Sequence, residues 1–240
     1  FVDDVNGWNF LGNCEQENME SVRLQKKEDP GSDIYENFEK QRQKNIQEKK
    51  EELSRINEFI EKALSSDSLI KKTLGIEKYT LNDVENFSPK SFKLIDALIF
   101  QRDFEERGLS VSKLQDYKKG ALISINKHYS LKFNPRVIVG DNPDDINDTN
   151  YGDGNVIGPV LDGADHGTHV SGIIASERED SSGSKGIYNN VKIMVLRAVP
   201  DGDEYDKDVA LAIRYAVDNG AKVINTSFGK GYSPHVDWVW

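Results

Sequence analysis

The region from residue 191 to residue 227 places the strongest constraint on how this chain can fold. Residues 191–197 and 221–227 are apolar runs of the kind that form buried parallel strands. Between them, residues 206–219 carry apolar side chains at helical spacing, and Gly220 is well placed to end that helix. The residues predicted to face inward are Val209, Ala212, Ile213, Ala216 and Val217. Because such a strand–helix–strand unit has a right-handed crossover, its strands are parallel and the loops after them meet at one edge of the sheet.

A second stretch, residues 165–176, combines a helical pattern with a histidine that could act in catalysis. It reads DHGTHVSGIIAS, in which Val170, Ile173 and Ile174 recur at helical spacing. This spacing predicts a helix that buries one apolar face, with His166 at the N-terminal entrance. An imidazole held there has a fixed position and a pKa range close to neutral, and a general base needs both.

Residues 165–176 resemble the histidine motif of the subtilisin-like serine proteases, the subtilases. Two more stretches resemble the family, and the three occur in the family's order. Residues 223–229, VINTSFG, are similar to a strand whose Ser-x-Gly backbone lines the substrate cleft. Residues 2–10, VDDVNGWNF, are similar to the segment between the catalytic aspartate and the histidine motif. The resemblance implies an α/β fold, a partial doubly wound parallel sheet of subtilisin type.

The resemblance also implies roles for individual residues. His166 would be the general base of a Ser-His-Asp triad, and His169 a packing residue one turn on. Gly167 and Gly172 would allow close approach of neighbouring backbones. A peptide or protein substrate would lie in extended form between two segments, which are made of Gly202, Asp203, Glu204 and Tyr205 and of Ser227, Phe228 and Gly229. Acidic side chains in the first segment would favour basic side chains in the substrate.

Several parts of the family's catalytic machinery do not occur in this sequence. It contains neither the Gly-Thr-Ser-x-Ala nucleophile motif nor a strand ending in Asp-Ser/Thr-Gly, and the oxyanion asparagine is missing too. We therefore expect an internal piece of a longer protease, with the triad Asp and Ser outside it. Since a triad functions as a unit, the piece alone should be inactive. Asp3 and Asp4 are poor substitutes for the triad acid, and Asp165 is expected to be a helix cap.

Residues 13–133 differ in character from the rest and are predicted to be a mainly α-helical insertion. The insertion would divide the α/β domain into residues 1–12 and residues 134–240. Residues 1–12 are predicted to be a short strand with Trp8 as a core or sheet-face aromatic, and residues 136–140 a brief apolar strand. The first part of the insertion, residues 13–29, is predicted to be a polar loop. A long amphipathic helix follows from about residue 34, and shorter helices continue to about residue 129. One of these is predicted to end at Gly75, one to begin at Ser88, and one to begin at Ser110 or Ser112. The insertion is interpreted either as a charged bundle that only packs or as a regulatory or partner-binding part.

Charge is distributed unevenly between these parts. Of 31 basic and 41 acidic residues, 22 of each lie in residues 13–135, so the other 9 basic and 19 acidic residues carry the net charge of −10. An acidic α/β part disfavours nucleic acid as a partner. Its acids concentrate in one Gly- and Asn-rich loop, at Asp141, Asp144, Asp145, Asp148, Asp153, Asp162 and Asp165. They are interpreted either as calcium ligands or as turn formers and caps. The implied chemistry requires no cofactor.

Two other classes of function remain open at this stage. The chain could be a noncatalytic interaction module with a protease-like scaffold. It could also be a metal hydrolase that uses His166 and His169, although their spacing of three lacks the usual helical metal-ligand pattern and its glutamate.

Composition and family resemblance also bear on the compartment and on self-association. No apolar run is long enough for a membrane span, and the single Cys14 excludes an internal disulfide. The resemblance implies a secreted or cell-envelope protein. Trp238 and Trp240 in the tail predict self-association of this piece.

Overall fold

The computed structural model describes residues 7–80, 83, 91–177, 183, 185–188 and 190–240. The chain divides into two compact units, one made of Phe1–Arg42 with Lys127–Trp240 and the other of Gln43–Asn126. The proposed features at Val2, Asp3, Asp4 and Asn6 lie outside the described residues. The assignment of residues 13–133 as an insertion into a catalytic domain stays a prediction.

The first unit contains a parallel sheet, as an α/β fold requires. Strand β1, Gly7–Asn9, pairs in parallel with β2, Val195–Arg197, and Trp8 lies opposite Leu196. Trp8 is buried, and its indole N–H donates to the carbonyl of Tyr151 at 3.2 Å. The hydrophobic core around it consists of Trp8, Phe10, Tyr151, Ala198, Leu211, Ala212 and Tyr215. The first stretch of the chain therefore forms a strand with a core aromatic, as predicted.

The second predicted strand of the strand–helix–strand unit is not formed. Residues 221–227 have no regular secondary structure, and the side chain of Val223 is 86% exposed. A strand needs a neighbour for its backbone N–H and C=O groups, and none of the described residues pairs with this stretch. The sheet of the described residues has two strands. The doubly wound arrangement therefore stays a prediction.

Several helices complete the first unit. They are α1 (Glu20–Lys27), α5 (Arg136–Val139), α6 (Asp165–Ala175), α7 (Asp206–Asp218) and α8 (Val236–Val239), with a 3-10 turn at Leu161–Ala164. Helix α7 buries Val209, Ala212 and Ala216 as predicted, but Val217 is 60% exposed. The core-facing side of α7 is centred on Ala212 and Tyr215, and Val217 lies on the opposite side of the helix.

Two local predictions in this unit are wrong. The polar stretch predicted as a loop contains helix α1, whose Glu20 and Arg23 are buried because they pair with each other. The apolar stretch after Pro135, predicted as a strand, is the short helix α5. It ends at Gly140, which has a φ of +83° and donates its N–H to the carbonyl of Arg136 at 2.8 Å. This pattern of a starting proline and a closing glycine outweighs the β-branched side chains between them.

The long amphipathic helix and the shorter helices of the predicted bundle are present. Helix α2 runs over Asp33–Leu74 and ends at Gly75, with a φ of +69°. Helix α3 is Phe92–Glu106 and α4 is Val111–Ile123, followed by a π-helical turn at Ser124–His128. Ser110 caps α4 as predicted, and its side chain accepts the N–H of Lys113 at 3.1 Å. The predicted helix start at Ser88 lies outside the described residues, and Ser91 caps α3.

Two small apolar clusters lie in the second unit, Gln43–Asn126. One is formed by Ile56, Ala63, Phe104 and Leu114, and the other by Ile70, Leu94 and Ala97. Across the described part of the chain, no helix combines the length and the hydrophobicity that crossing a membrane requires.

Gly7 gives a direct test of the β1–β2 pairing. Its φ is +131°, and a Cβ built there would lie 1.8 Å from the carbonyl oxygen of Val195. Gly7→Ala is therefore expected to lower the free energy of unfolding by about 2 kcal/mol or more, measured by chemical denaturation. Gly31→Ala is the matched control, because Gly31 has a φ of +90° but no atom within 4 Å of the added Cβ. Equal losses in the two variants would contradict the close approach at Gly7.

Candidate active site

His166 is the second residue of helix α6, and its side chain is exposed. The imidazole makes no hydrogen bond or ion pair with any described residue. Asp165 is the first helical residue, and its carboxylate accepts the backbone N–H of His166 at 2.6 Å. Asp165 therefore serves one of the free N–H groups of the first turn, although the N-cap residue itself is Ala164.

The apolar face of α6 is not buried, in contrast to the prediction. Ile173 is 53% exposed, and nothing lies within 4 Å of a Cβ added at Gly167 or Gly172. His169, expected to pack, is exposed. The helix is held at its C-terminal end, where Ile187 donates its N–H to the carbonyl of Ile173 at 3.0 Å. Among the described residues, no element packs over the face that the sequence pattern marks as buried.

The segment Gly202 to Tyr205 follows β2 and lies against residues 15–18. Asp201 pairs in parallel with this stretch: its N–H donates to the carbonyl of Glu15 at 2.9 Å, and its carbonyl accepts the N–H of Glu17 at 2.8 Å. Gly202 has a φ of +131°, and a Cβ there would lie 2.3 Å from the carbonyl oxygen of Glu17. The backbone of Gly202 makes no hydrogen bond with a described residue, so within the described part of the chain the edge of this segment is open at Gly202 alone.

The acidic side chains of this segment do not face an open cleft. The carboxylate of Asp203 accepts the N–H of Glu20 at 2.7 Å and so satisfies the first turn of α1. Glu204 is buried, and burial raises the pKa of its carboxyl group. That these side chains select basic substrates stays a prediction, and it is not favoured by a geometry in which one is engaged by a helix and the other is buried.

Tyr205 is held between two cationic side chains. The guanidinium carbon of Arg23 lies 3.9 Å from the centre of its ring, and that of Arg136 lies 4.6 Å away. Burial raises the pKa of the phenol well above its usual value, so the ring stays neutral at physiological pH. Tyr205 thus anchors its segment to the body of the unit.

The second predicted substrate segment, Ser227 to Gly229, is exposed and without regular structure. The side chain of the next residue, Lys230, is buried. Its ammonium group donates to the carbonyl of Glu204 at 2.9 Å and to the carboxylate of Glu20 at 2.7 Å. The structure therefore brings the two segments together through Lys230. No hydrogen bond or ion pair among the described residues connects His166 to either segment.

The acids of the loop that follows α5 are used by the protein itself. Asp141 and Asp148 pair with Lys207, at 2.8 Å and 3.5 Å, and Asp144 pairs with Lys27 at 2.6 Å. Asp145 and Asp153 each accept a backbone N–H two residues on in the chain. No group of three or more metal-binding side chains occurs among the described residues. The contacts of Asp141, Asp144, Asp145, Asp148 and Asp153 favour the interpretation as turn formers and ion-pair partners, and calcium binding stays a prediction.

The buried carboxyl group of Glu17 makes stability depend on pH. Burial raises the pKa of Glu17 to about 7, against the lowering effect of Arg23. Since the folded-state pKa exceeds the unfolded value of 4.5, the protonated side chain favours folding. This stabilisation is complete below pH 4.5 and is lost as the pH rises through 7. Glu17→Gln should raise the free energy of unfolding by about 1 kcal/mol at pH 8 and leave it nearly unchanged at pH 4.5. Equal effects at both pH values would contradict this assignment.

Comparison with known proteins now adds to this geometry. The model of the subtilase family of peptidases matches residues 59–239, which is more than half of the chain. The chain belongs to the subtilase family. A thermophilic serine proteinase of Bacillus sp. (strain AK1) is 44% identical to this subtilase over 70 residues, 29% of the chain and 18% of that relative. Thermitase of Thermoactinomyces vulgaris is 36% identical over 84 residues, 32% of the chain and 30% of thermitase.

A cell wall-associated protease of Bacillus subtilis (strain 168) is 42% identical over 74 residues, which are 30% of this chain and 8% of that relative. The chain thus spans well under half the length of these relatives. No solved structure gives a significant match.

Sequence analysis found the histidine motif and the two segments, but it missed the charged residues that hold those segments. Glu17, Glu20, Arg23 and Lys230 are nearly or partly buried in this subtilase. Because their neighbours in the sequence are polar, hydrophobic periodicity predicts that these four residues are exposed. No local signal in the sequence identifies them, because their partners are distant along the chain.

Proposed function

We propose that this subtilase chain is part of a serine endopeptidase that hydrolyses peptide bonds, with His166 as the general base. The observation that carries the proposal is the position of His166. It lies within the family's histidine motif, in the first turn of α6, and its imidazole is exposed and has no partner among the described residues. The aspartate and the serine of the triad come from parts of the protein outside this chain.

The chemistry at His166 is proton transfer during acyl transfer. The imidazole takes the proton from the serine hydroxyl as that oxygen attacks the peptide carbonyl, and then returns it to the leaving amine. The aspartate orients the ring and stabilises the imidazolium form. His166 alone cannot supply a nucleophile, so the 240-residue chain by itself has no activity of this type.

The substrate is proposed to bind in extended form along the open backbone edge at Gly202, with the Ser227 to Gly229 segment on its other side. The backbone groups of Gly202, which make no hydrogen bond with a described residue, support strand-type pairing with a peptide. Because Asp203 and Glu204 are engaged or enclosed, recognition there uses backbone rather than charge. The names of the cell wall-associated relative and of an extracellular serine protease of Natrialba magadii support secretion or cell-envelope location.

The test compares the full-length protein with the 240-residue chain. The full-length protein is expected to cleave unfolded protein substrates, to lose this activity to a serine-directed inhibitor, and to keep it in the presence of a zinc chelator. The isolated chain should be inactive, and it should self-associate in sedimentation experiments because Trp240 is 95% exposed. Loss of cleavage with the chelator but not with the serine inhibitor would favour the metal hydrolase instead.

A further inference from the structure

The two segments proposed to flank the substrate converge on one set of buried and half-buried charged residues, which lies outside the motifs that carry the triad. We call it the α1 cluster, and it consists of Glu20, Arg23, Asp203, Asp206 and Lys230. Two of its members come from α1, two flank Tyr205, and one follows Gly229. All of them lie in the same compact unit.

Arg23 holds the first segment by its backbone. The side chain is only 4% exposed, and its guanidinium donates to the carbonyls of Asp203 and Glu204, at 2.8 Å each. The same group stacks on the ring of Tyr205. A guanidinium can make these contacts at once because its donors form a rigid planar fork. Arg23 therefore fixes the path of the backbone that begins at the open edge of Gly202.

Lys230 ties the second segment to the same place. Its ammonium group bonds the carboxylate of Asp206 at 2.9 Å in addition to its bonds with Glu20 and the carbonyl of Glu204. The carboxylate of Glu20 contacts both Arg23 and Lys230. The Glu20 carboxylate thus links Arg23, which holds the first segment, to Lys230, which directly follows the second.

From this geometry we infer that Arg23 and Glu20 are positioning residues that set the separation and orientation of the two substrate-flanking segments. The inference rests on the proposed function, since it concerns how the substrate is held. A peptide pairs well only with backbone groups that are already in position before it binds. If the two segments lose their fixed positions, the peptide binds more weakly and is less well oriented for cleavage. The effect should grow with the length of peptide that lies along the two segments.

The experiment uses the full-length protein with Arg23→Ala, Arg23→Lys and the control Arg107→Ala. Arg107 also pairs with an acid, Asp103, but on an exposed helix surface. Two substrates are compared, an extended peptide of six or more residues before the cleaved bond and a short ester that does not reach the two segments. Arg23→Ala is expected to lower kcat/KM for the long peptide about 10- to 100-fold, mainly through KM, and to change the value for the ester less than about threefold.

Arg23→Lys should give an intermediate loss on the long peptide, because a lysine cannot serve both carbonyls and the Tyr205 ring together. Arg107→Ala should match the wild type on both substrates. An equal fall on both substrates, or no change on the long peptide, would overturn the positioning role.

Hydrogen exchange separates failure of this inference from failure of the proposed function. In the full-length protein, Arg23→Ala is expected to speed amide exchange in residues 201–205 and 227–230 together, while exchange in α4 stays as in the wild type. If the wild type hydrolyses neither substrate, the proposed function fails and this exchange result alone decides the positioning role. Unchanged exchange in either segment would then overturn it.

Discussion

Replacing His166 with alanine in the full-length protein is expected to lower kcat by about 10⁴-fold or more. The reason is that the imidazole is the only group proposed to remove the proton from the attacking serine. Binding of the peptide substrate should change little, because His166 makes no contact with either substrate-flanking segment in the described part of the chain. Steady-state kinetics with a peptide substrate measures both quantities, and residual activity is determined in the presence of a serine-directed inhibitor to exclude contamination.

His169→Ala is the matched control for this prediction. His169 lies on the same helix and is exposed like His166, but it lies beyond the first turn. It should keep its activity within about tenfold of the wild type, since it has no place in the proton transfer. Comparable losses in the two variants would assign the effect to the folding of α6 rather than to catalysis.

Removal of Arg136 is expected to have the largest effect on stability. Its guanidinium donates to Asp208 at 2.8 Å and also pairs with Asp141, and both carboxylates are fully buried. The hydroxyl of Tyr151 donates to the same Asp208 at 2.6 Å. Arg136→Ala would leave the Asp208 carboxylate buried without its cation, whereas Asp141 keeps its pair with Lys207. We therefore expect a loss of about 3 to 5 kcal/mol in the free energy of unfolding. Chemical denaturation of the wild type and the variant measures this difference.

The pH dependence gives the Arg136 prediction a second readout. Burial already raises the pKa of Asp208 despite the nearby guanidinium, and removal of Arg136 raises it further. Because a carboxylic acid with a raised pKa favours the folded state when it is protonated, the deficit of the variant should shrink as the pH falls from 8 towards 4. Arg102→Ala breaks an exposed pair with Glu106 and should change stability little at any pH. A deficit that stays constant with pH would contradict the unpaired-carboxylate explanation.

The sequence allowed accurate prediction where local signals and tertiary packing agree. Ser110 and Gly75 mark helix boundaries in both the sequence and the structure, since capping and left-handed backbone are local effects. Trp8 was correctly placed in the core: it lies in β1 opposite Leu196 and is buried. The subtilase family was recognised from three short motifs, and the family match supports that recognition.

Prediction failed where a long-range contact decides the local structure. Residues 221–227 have the composition of a buried strand, but a strand forms only against a partner, and the described residues contain none for it. The same reason leaves Ile173 exposed on a helix with a clearly apolar face. Helix α1 was missed for the opposite reason. Its buried Arg23 donates to carbonyls 180 and 181 residues further along the chain, and its Glu20 accepts from Lys230, 210 residues further on. No local pattern can reveal such partners.

The candidate site was predicted as separate parts rather than as an arrangement. His166 was predicted at a helix entrance and lies there. The two substrate segments were predicted from resemblance, and Lys230 connects them in the structure. Their roles in binding stay predictions.

Labelling of the nucleophile by a serine-directed covalent probe tests the central role of His166 most directly, because it reports activation of the serine without requiring turnover. The full-length wild type and His169→Ala are expected to label rapidly and at a single serine. His166→Ala should fold normally by circular dichroism and label at least about 10³-fold more slowly. Equal labelling rates in His166→Ala and the wild type would contradict the assignment of His166 as the general base.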